Sequence, residues 1–107
     1  MDVIGIKTCD ACRKAIKALE KSGREVTFRD IRETPLTMAE ATRFLFHFKD
    51  ALVNRRSTTW RELSKEDREL PPLELLIAHP TIMKRPVIVD GTDHHLGWAK
   101  DVQAALL

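Results

Sequence analysis

The stretch "VIGIKTCDACRKAIKALEKSGREVTFRDI", Val3 to Ile31, decides how the rest of the chain is read. It opens with a short apolar run, "VIGI", and passes into a segment where Cys12, Ala15, Ile16 and Leu19 recur at helical spacing. That helix is expected to end at "SGR", with Gly23 as its left-handed cap. Beyond it "EVTFRDI" sets Val26, Phe28 and Asp30 against Glu25, Thr27 and Arg29, the alternation of a half-buried strand returning beside the first. Strand, helix, strand is a βαβ unit, and both cysteines of the chain lie where its first strand gives way to the helix.

Outward from this unit the pattern changes. From Leu36 to His79 no strand signal occurs, and "TMAEATRFLFHFKDALV", "TTWRELSKEDREL" and "PPLELLIAHP" each read as helical, with Thr37 as a cap and Pro71, Pro72 and Pro80 as punctuation. Then "RPVIVDGTDHHLGWA" supplies two short strands around an Asp90-Gly91 turn, and "AKDVQAALL" closes the chain as a helix. The order β-α-β, helices, β-β-α predicts an α/β thioredoxin-like fold with a mixed sheet, a parallel half and a hairpin half sharing one sheet. The expected organisation is a single domain over 1–107 with a helical insertion at approximately 36–80. Phe44 and Phe48 share a helical face and are expected in a core, as is Trp60 in the core of the inserted helices.

A chain of 107 residues suits one modest core. Its formal net charge of +2 comes from 18 basic and 16 acidic residues spread along the sequence, so no block of Lys and Arg marks a nucleic-acid or membrane surface. No segment approaches the roughly 18 apolar residues of a membrane span, and "MDVIGIKTC" lacks the pattern of a signal peptide. The expectation is a soluble, cytoplasmic monomer with no direct nucleic-acid or membrane contact. In a reducing compartment a Cys-x-x-Cys pair reads as redox-active or metal-binding in preference to a permanent staple.

A helix starting near Cys9 would place that thiol among unsatisfied backbone N–H groups that favour an anion, making Cys9 the candidate nucleophile. Cys12, three residues on and on the same face, would be the resolving thiol. Lys7 and Arg13 add positive charge nearby while Asp10 opposes it. Two alternatives stay open at this point. One is a packing role for the cysteines; the other is a zinc site completed by His79, His94, His95 or a carboxylate. His94 and His95 are adjacent on a strand and so point to opposite faces, and they read more simply as polar residues after a turn.

Three blocks in order, "TCDACRKAIKALEKSG", "RRSTTWREL" and "PTIMKRPVIVDG", resemble the arsenate-reductase-like and Spx-like thioredoxin-fold proteins (the ArsC family) over nearly the whole chain. The resemblance implies a reactive cysteine at Cys9, an arginine four residues later at Arg13, and Arg85 preceding a cis Pro86. A cis bond there would turn Arg85 and the backbone beside it toward the helix start, and the Arg85 fork would suit an oxyanion or a glutathione carboxylate. Two arginines of the arsenate clamp are missing: their places fall on Asn54 and in "HHLGWAK", leaving Arg55 or Arg56 to reach in from the neighbouring turn. Arg56 is otherwise expected to tie the inserted helices to the domain. The glycine through which Spx-like regulators meet RNA polymerase aligns with Phe48, and their extended C-terminal tail is expected to be missing, both of which speak against the regulator reading.

The resemblance thus implies a thiol-disulfide oxidoreductase, glutathione-linked, with Cys9, Cys12 and Arg13 catalytic and Lys7, Arg85, Pro86 and Arg56 binding substrate. Glutathione is the expected co-substrate, with no bound metal or organic group. The expected partners are a glutathionylated or anionic substrate and glutaredoxin or another thiol reductant. A Spx-like redox-sensing interaction module is the second expectation, and glutaredoxin-coupled arsenate reduction the third.

Overall fold

In the computed structural model, which describes residues 1–107, the Val3–Ile31 stretch folds as strand β1 (Asp2–Gly5), helix α1 (Asp10–Lys21) and strand β2 (Thr27–Asp30). β1 and β2 run parallel, with Val3 opposite Phe28 and Gly5 opposite Asp30. α1 ends as its sequence predicts. Gly23 takes φ +92°, its N–H bonds Glu20 O (3.0 Å), and Arg24 N–H bonds Leu19 O (3.1 Å), so two orphan carbonyls are satisfied by one left-handed residue.

The C-terminal segment completes the same sheet. β3 (Val87–Asp90) and β4 (Asp93–Leu96) form an antiparallel hairpin turning at Gly91, whose φ is +60°. β3 also lies antiparallel to β1, with Val3 opposite Ile88, giving the order β2-β1-β3-β4. This is the mixed α/β sheet of a thioredoxin-like fold. Val3 and Ile88 are buried with Ala15 and Leu19 of α1 and with Val102 and Leu106 of the closing helix α6 (Lys100–Leu106). Phe28, Ile16 and Trp98 pack against that cluster. The first unit of the chain is therefore Met1–Ile31 with Arg85–Leu107.

The second unit, Arg32–Lys84, is helical. It contains α2 (Met38–Phe48), α3 (Thr58–Glu62), α4 (Lys65–Arg68) and α5 (Pro72–Ala78), with short 3-10 turns at Lys49–Leu52 and Pro80–Ile82. Thr37 caps α2 in a reciprocal box: its hydroxyl accepts from Glu40 N–H (3.1 Å) and Glu40 Oε1 accepts from Thr37 N–H (2.9 Å). α2 packs against α5, and Phe44, Leu52, Leu75, Leu76, Ile82 and Met83 are buried.

Three details of this unit depart from the sequence reading. α2 stops at Phe48, because Lys49 adopts a positive φ of 54° and turns the chain into a 3-10 helix instead of continuing to Val53. "TTWRELSKEDREL" is two short helices: Leu63 is extended, and the Ser64 hydroxyl accepts from Asp67 N–H (3.1 Å), starting a new helix at a residue better suited to a cap than to an interior. Trp60 is only half-buried; the guanidinium carbons of Arg55 and Arg68 lie 5.4 and 5.6 Å from its ring centre, so it serves as a platform for cations. No helix of the chain is long and apolar enough to cross a membrane.

Candidate active site around Cys9

Cys9 is the last residue before α1, in an extended conformation (φ −80°, ψ 121°), with its N–H on Ile6 O and its carbonyl accepting from Arg13 N–H, both at 3.1 Å. The thiol is half-buried, whereas Cys12 on the inward side of α1 is wholly buried; both are free. The two sulfurs differ sharply in acidity. Burial works to raise the Cys9 thiol, but the Cys12 backbone N–H, the Cys12 thiol and the Arg85 guanidinium all favour its anion and bring it below the ordinary thiol value. Burial above all pushes Cys12 up to about 12; the Ile6 backbone works to lower it, the neighbouring Cys9 raises it and Arg85 lowers it.

Cys12 is seated against β1 through a glycine. A Cβ built on Gly5 would overlap Cys12 Sγ and stand 3.8 Å from Arg85 Cβ. Gly5 is thus the point where strand, helix and the Arg85 segment come close enough for the thiols and the guanidinium to interact. A glycine inside a strand signals such an approach. The sequence reading of "VIGI" did not use that signal, nor give a role to Asp30. Asp30 is buried at the end of β2, and its Oδ2 accepts from Lys7 N–H (2.9 Å), pinning the turn that delivers Cys9.

The other expected residues fall as follows. Arg13 turns back on the same turn, Nε donating to Lys7 O (3.1 Å) and Nη2 to Thr8 O (3.2 Å). Its fork therefore holds the backbone on which Cys9 stands. Lys7 is exposed on that turn. Arg85 precedes Pro86 across a cis peptide bond; Pro86 is buried and its carbonyl accepts from Gly97 N–H (2.8 Å). Cys9, Cys12, Arg85 and Pro86, with the Lys7 turn and Arg13, all belong to the sheet unit. Arg56 belongs to the helical unit, where its N–H bonds Asn54 Oδ1 (3.0 Å). With Ala51, Val53, Asn54, Arg55 and Lys84 it lines a depression of about 480 Å³ there.

A mixed β2-β1-β3-β4 sheet, a Cys-x-x-Cys at the start of the helix after β1 and a cis proline opening β3 define a thioredoxin-like thiol protein. The chain belongs to the ArsC family, which it matches over residues 4–106 and which is a family of thiol oxidoreductases and redox regulators. It is 37% identical over 109 residues to an uncharacterised protein of Haemophilus influenzae, covering 96% of each chain. It is 31% identical over 100 residues to the global transcriptional regulator Spx 2 of Oceanobacillus iheyensis, covering 88% of this chain and 74% of the regulator. Among solved structures, that of the YFFB protein superposes with a TM-score of 0.89 at 30% identity, covering 99% of this chain and 97% of the other.

Proposed function

We propose that the protein is a glutathione-linked thiol-disulfide reductase in which Cys9 attacks and Cys12 resolves. The observation that carries this reading is the half-buried Cys9 thiol at the start of α1, whose anion the Arg85 guanidinium and the Cys12 groups favour. The Cys9 thiolate attacks the glutathione sulfur of a mixed disulfide; a Cys9–glutathione bond forms, and the partner leaves as a thiolate that takes up a proton. Cys12 then loses its proton and attacks Cys9 Sγ, releasing glutathione and leaving a Cys9–Cys12 disulfide. Two further glutathione thiols supply the two electrons that reset the pair and are themselves oxidised to the disulfide.

The acidity difference orders these steps. Pushed up to about 12, Cys12 keeps its proton at neutral pH and does not compete for the first attack. Once Cys9 is in a mixed disulfide its charge is gone, and with it the Cys9 contribution that holds the proton on Cys12. Arg13 positions the Lys7–Thr8 turn, and Arg85 stabilises the thiolate, as nucleophile and as leaving group alike.

Mass spectrometry after incubation with oxidised glutathione tests this. Wild type is expected to end as the intramolecular disulfide, Cys12→Ser to trap one glutathione on Cys9, and Cys9→Ser to take up none. Glutathione on Cys12 in the Cys9→Ser variant at the wild-type rate would overturn the roles, and no thiol modification in any form would overturn the function. The Spx 2 relative supports a second reading, a redox-sensing module. Partner capture by the reduced and the oxidised protein separates the two, since a sensor must change partners with its thiol state.

A further inference from the structure

Beside Cys9 the sheet unit carries a depression of about 680 Å³, lined by Asp10, Ala11, Lys14 and Ala18 along α1 and by Trp98 and Gln103. The four helix residues form one stripe on the outer side of α1, beginning at the residue after the reactive cysteine. None of the six has a part in the thiol chemistry above. We infer that this depression binds the amino-acid end of the thiol ligand, the carbon that carries both an ammonium and a carboxylate. In glutathione this is the γ-glutamyl end. The inference rests on the proposed function only for the identity of the ligand; the site itself is defined by the lining.

The charges are arranged for such a group. Asp10 and Lys14 stand four residues apart with the acid N-terminal to the base, the spacing and order that favour an ion pair on a helix. Yet they make no ion pair with each other or with any other residue. An ammonium next to a carboxylate would pair with Asp10 and Lys14 at once, one charge to each. Ala11 and Ala18 keep the floor open. Trp98, half-buried against the core cluster, offers an aromatic wall to the methylene chain, and Gln103 fixes it by donating Nε2 to Trp98 O (2.9 Å). Gln103 Oε1 remains as an acceptor for a ligand N–H.

The reach also fits. Lys14 lies about 7.5 Å along the helix axis from Cys9. From the sulfur of glutathione to its glutamyl α-carbon is a path of seven bonds, roughly 8 to 9 Å when extended. A glutathione sulfur at Cys9 therefore brings the charged end level with Lys14.

The test uses S-methylglutathione, which cannot form a disulfide, so binding is read apart from thiol chemistry. Titration into the protein, followed by amide and indole N–H shifts, is expected to move Asp10, Lys14, Gln103 and the Trp98 indole together. Lys14→Gln should weaken binding about three- to tenfold, Lys14→Arg should retain most of it, and Asp10→Asn should weaken binding of S-methylglutathione but not of the analogue lacking the glutamyl ammonium. Shifts confined to other parts of the surface, or an affinity indifferent to Lys14→Gln and Asp10→Asn alike, would overturn the inference. A protein that binds S-methylglutathione here yet forms no adduct with oxidised glutathione would leave the subsite standing and remove the proposed reduction.

Discussion

The two units of the chain put arginine to different main uses. In the helical unit, α3 and α4 are five and four residues long, so most of their carbonyls lack a helical partner. Guanidinium groups fill the gap: Arg68 donates to Trp60 O (3.2 Å) and Arg61 O (3.0 Å), and Arg61 donates to Arg56 O (3.0 Å). Those arginines hold backbone together. In the sheet unit α1 is twelve residues long and ends in a satisfied left-handed cap, so its carbonyls need no such help, while the short α6 takes one such bond, Arg24 Nη2 donating to Leu106 O (3.3 Å). There Arg13 braces one turn, and the Arg85 guanidinium favours the anion of an ionisable sulfur. The same fork is thus a brace where helices are short and an electrostatic device where a strand and a long helix bring a thiol beside it.

Three substitutions sharpen that contrast. The largest effect is expected at Gly5→Ala, which forces a methyl group into Cys12 Sγ; it should cost about 1–3 kcal/mol in urea unfolding. Adding Cys12→Ala should recover part of that loss, as a coupling of at least about 0.5 kcal/mol in a double-mutant cycle. Additive losses would mean that the sheet unit does not depend on this approach.

Next comes Arg85→Gln. Removing the positive charge takes away stabilisation of the Cys9 thiolate, so the midpoint of Cys9 alkylation against pH should move upward from its depressed position. A shift of one pH unit, about 1.4 kcal/mol, would leave roughly a tenth of the thiolate at pH values below the midpoint. An unmoved midpoint would make Arg85 a brace like its counterparts in the helical unit. Smallest is Ser64→Ala, which removes the cap that splits α3 from α4 and should cost about 1 kcal/mol in thermal or urea unfolding, with the Cys9 alkylation midpoint unchanged. A shifted midpoint would show that the two roles of arginine are not separable.

How much was legible in the sequence follows the range of the forces involved. Element order, the Gly23 cap, the Thr37 box and the position of Cys9 at a helix start were readable, because periodicity, capping and turn chemistry are decided within a few residues. The break at Ser64 was readable in principle, since serine prefers a cap, but a continuous helical pattern outweighed it. Trp60 was misread because a large aromatic residue in a short helical segment can serve as a platform for guanidinium groups as readily as it fills a core.

The amino-acid sequence by itself determined the thiol motif, the family and the strands and helices that carry them. The tertiary structure decided how far apart in acidity the two thiols stand. That difference comes from full burial of Cys12 against Gly5, from a half-buried Cys9, and from a guanidinium delivered by the opposite end of the chain. Burial and through-space charge depend on distance in the folded molecule, which no local pattern of residues encodes.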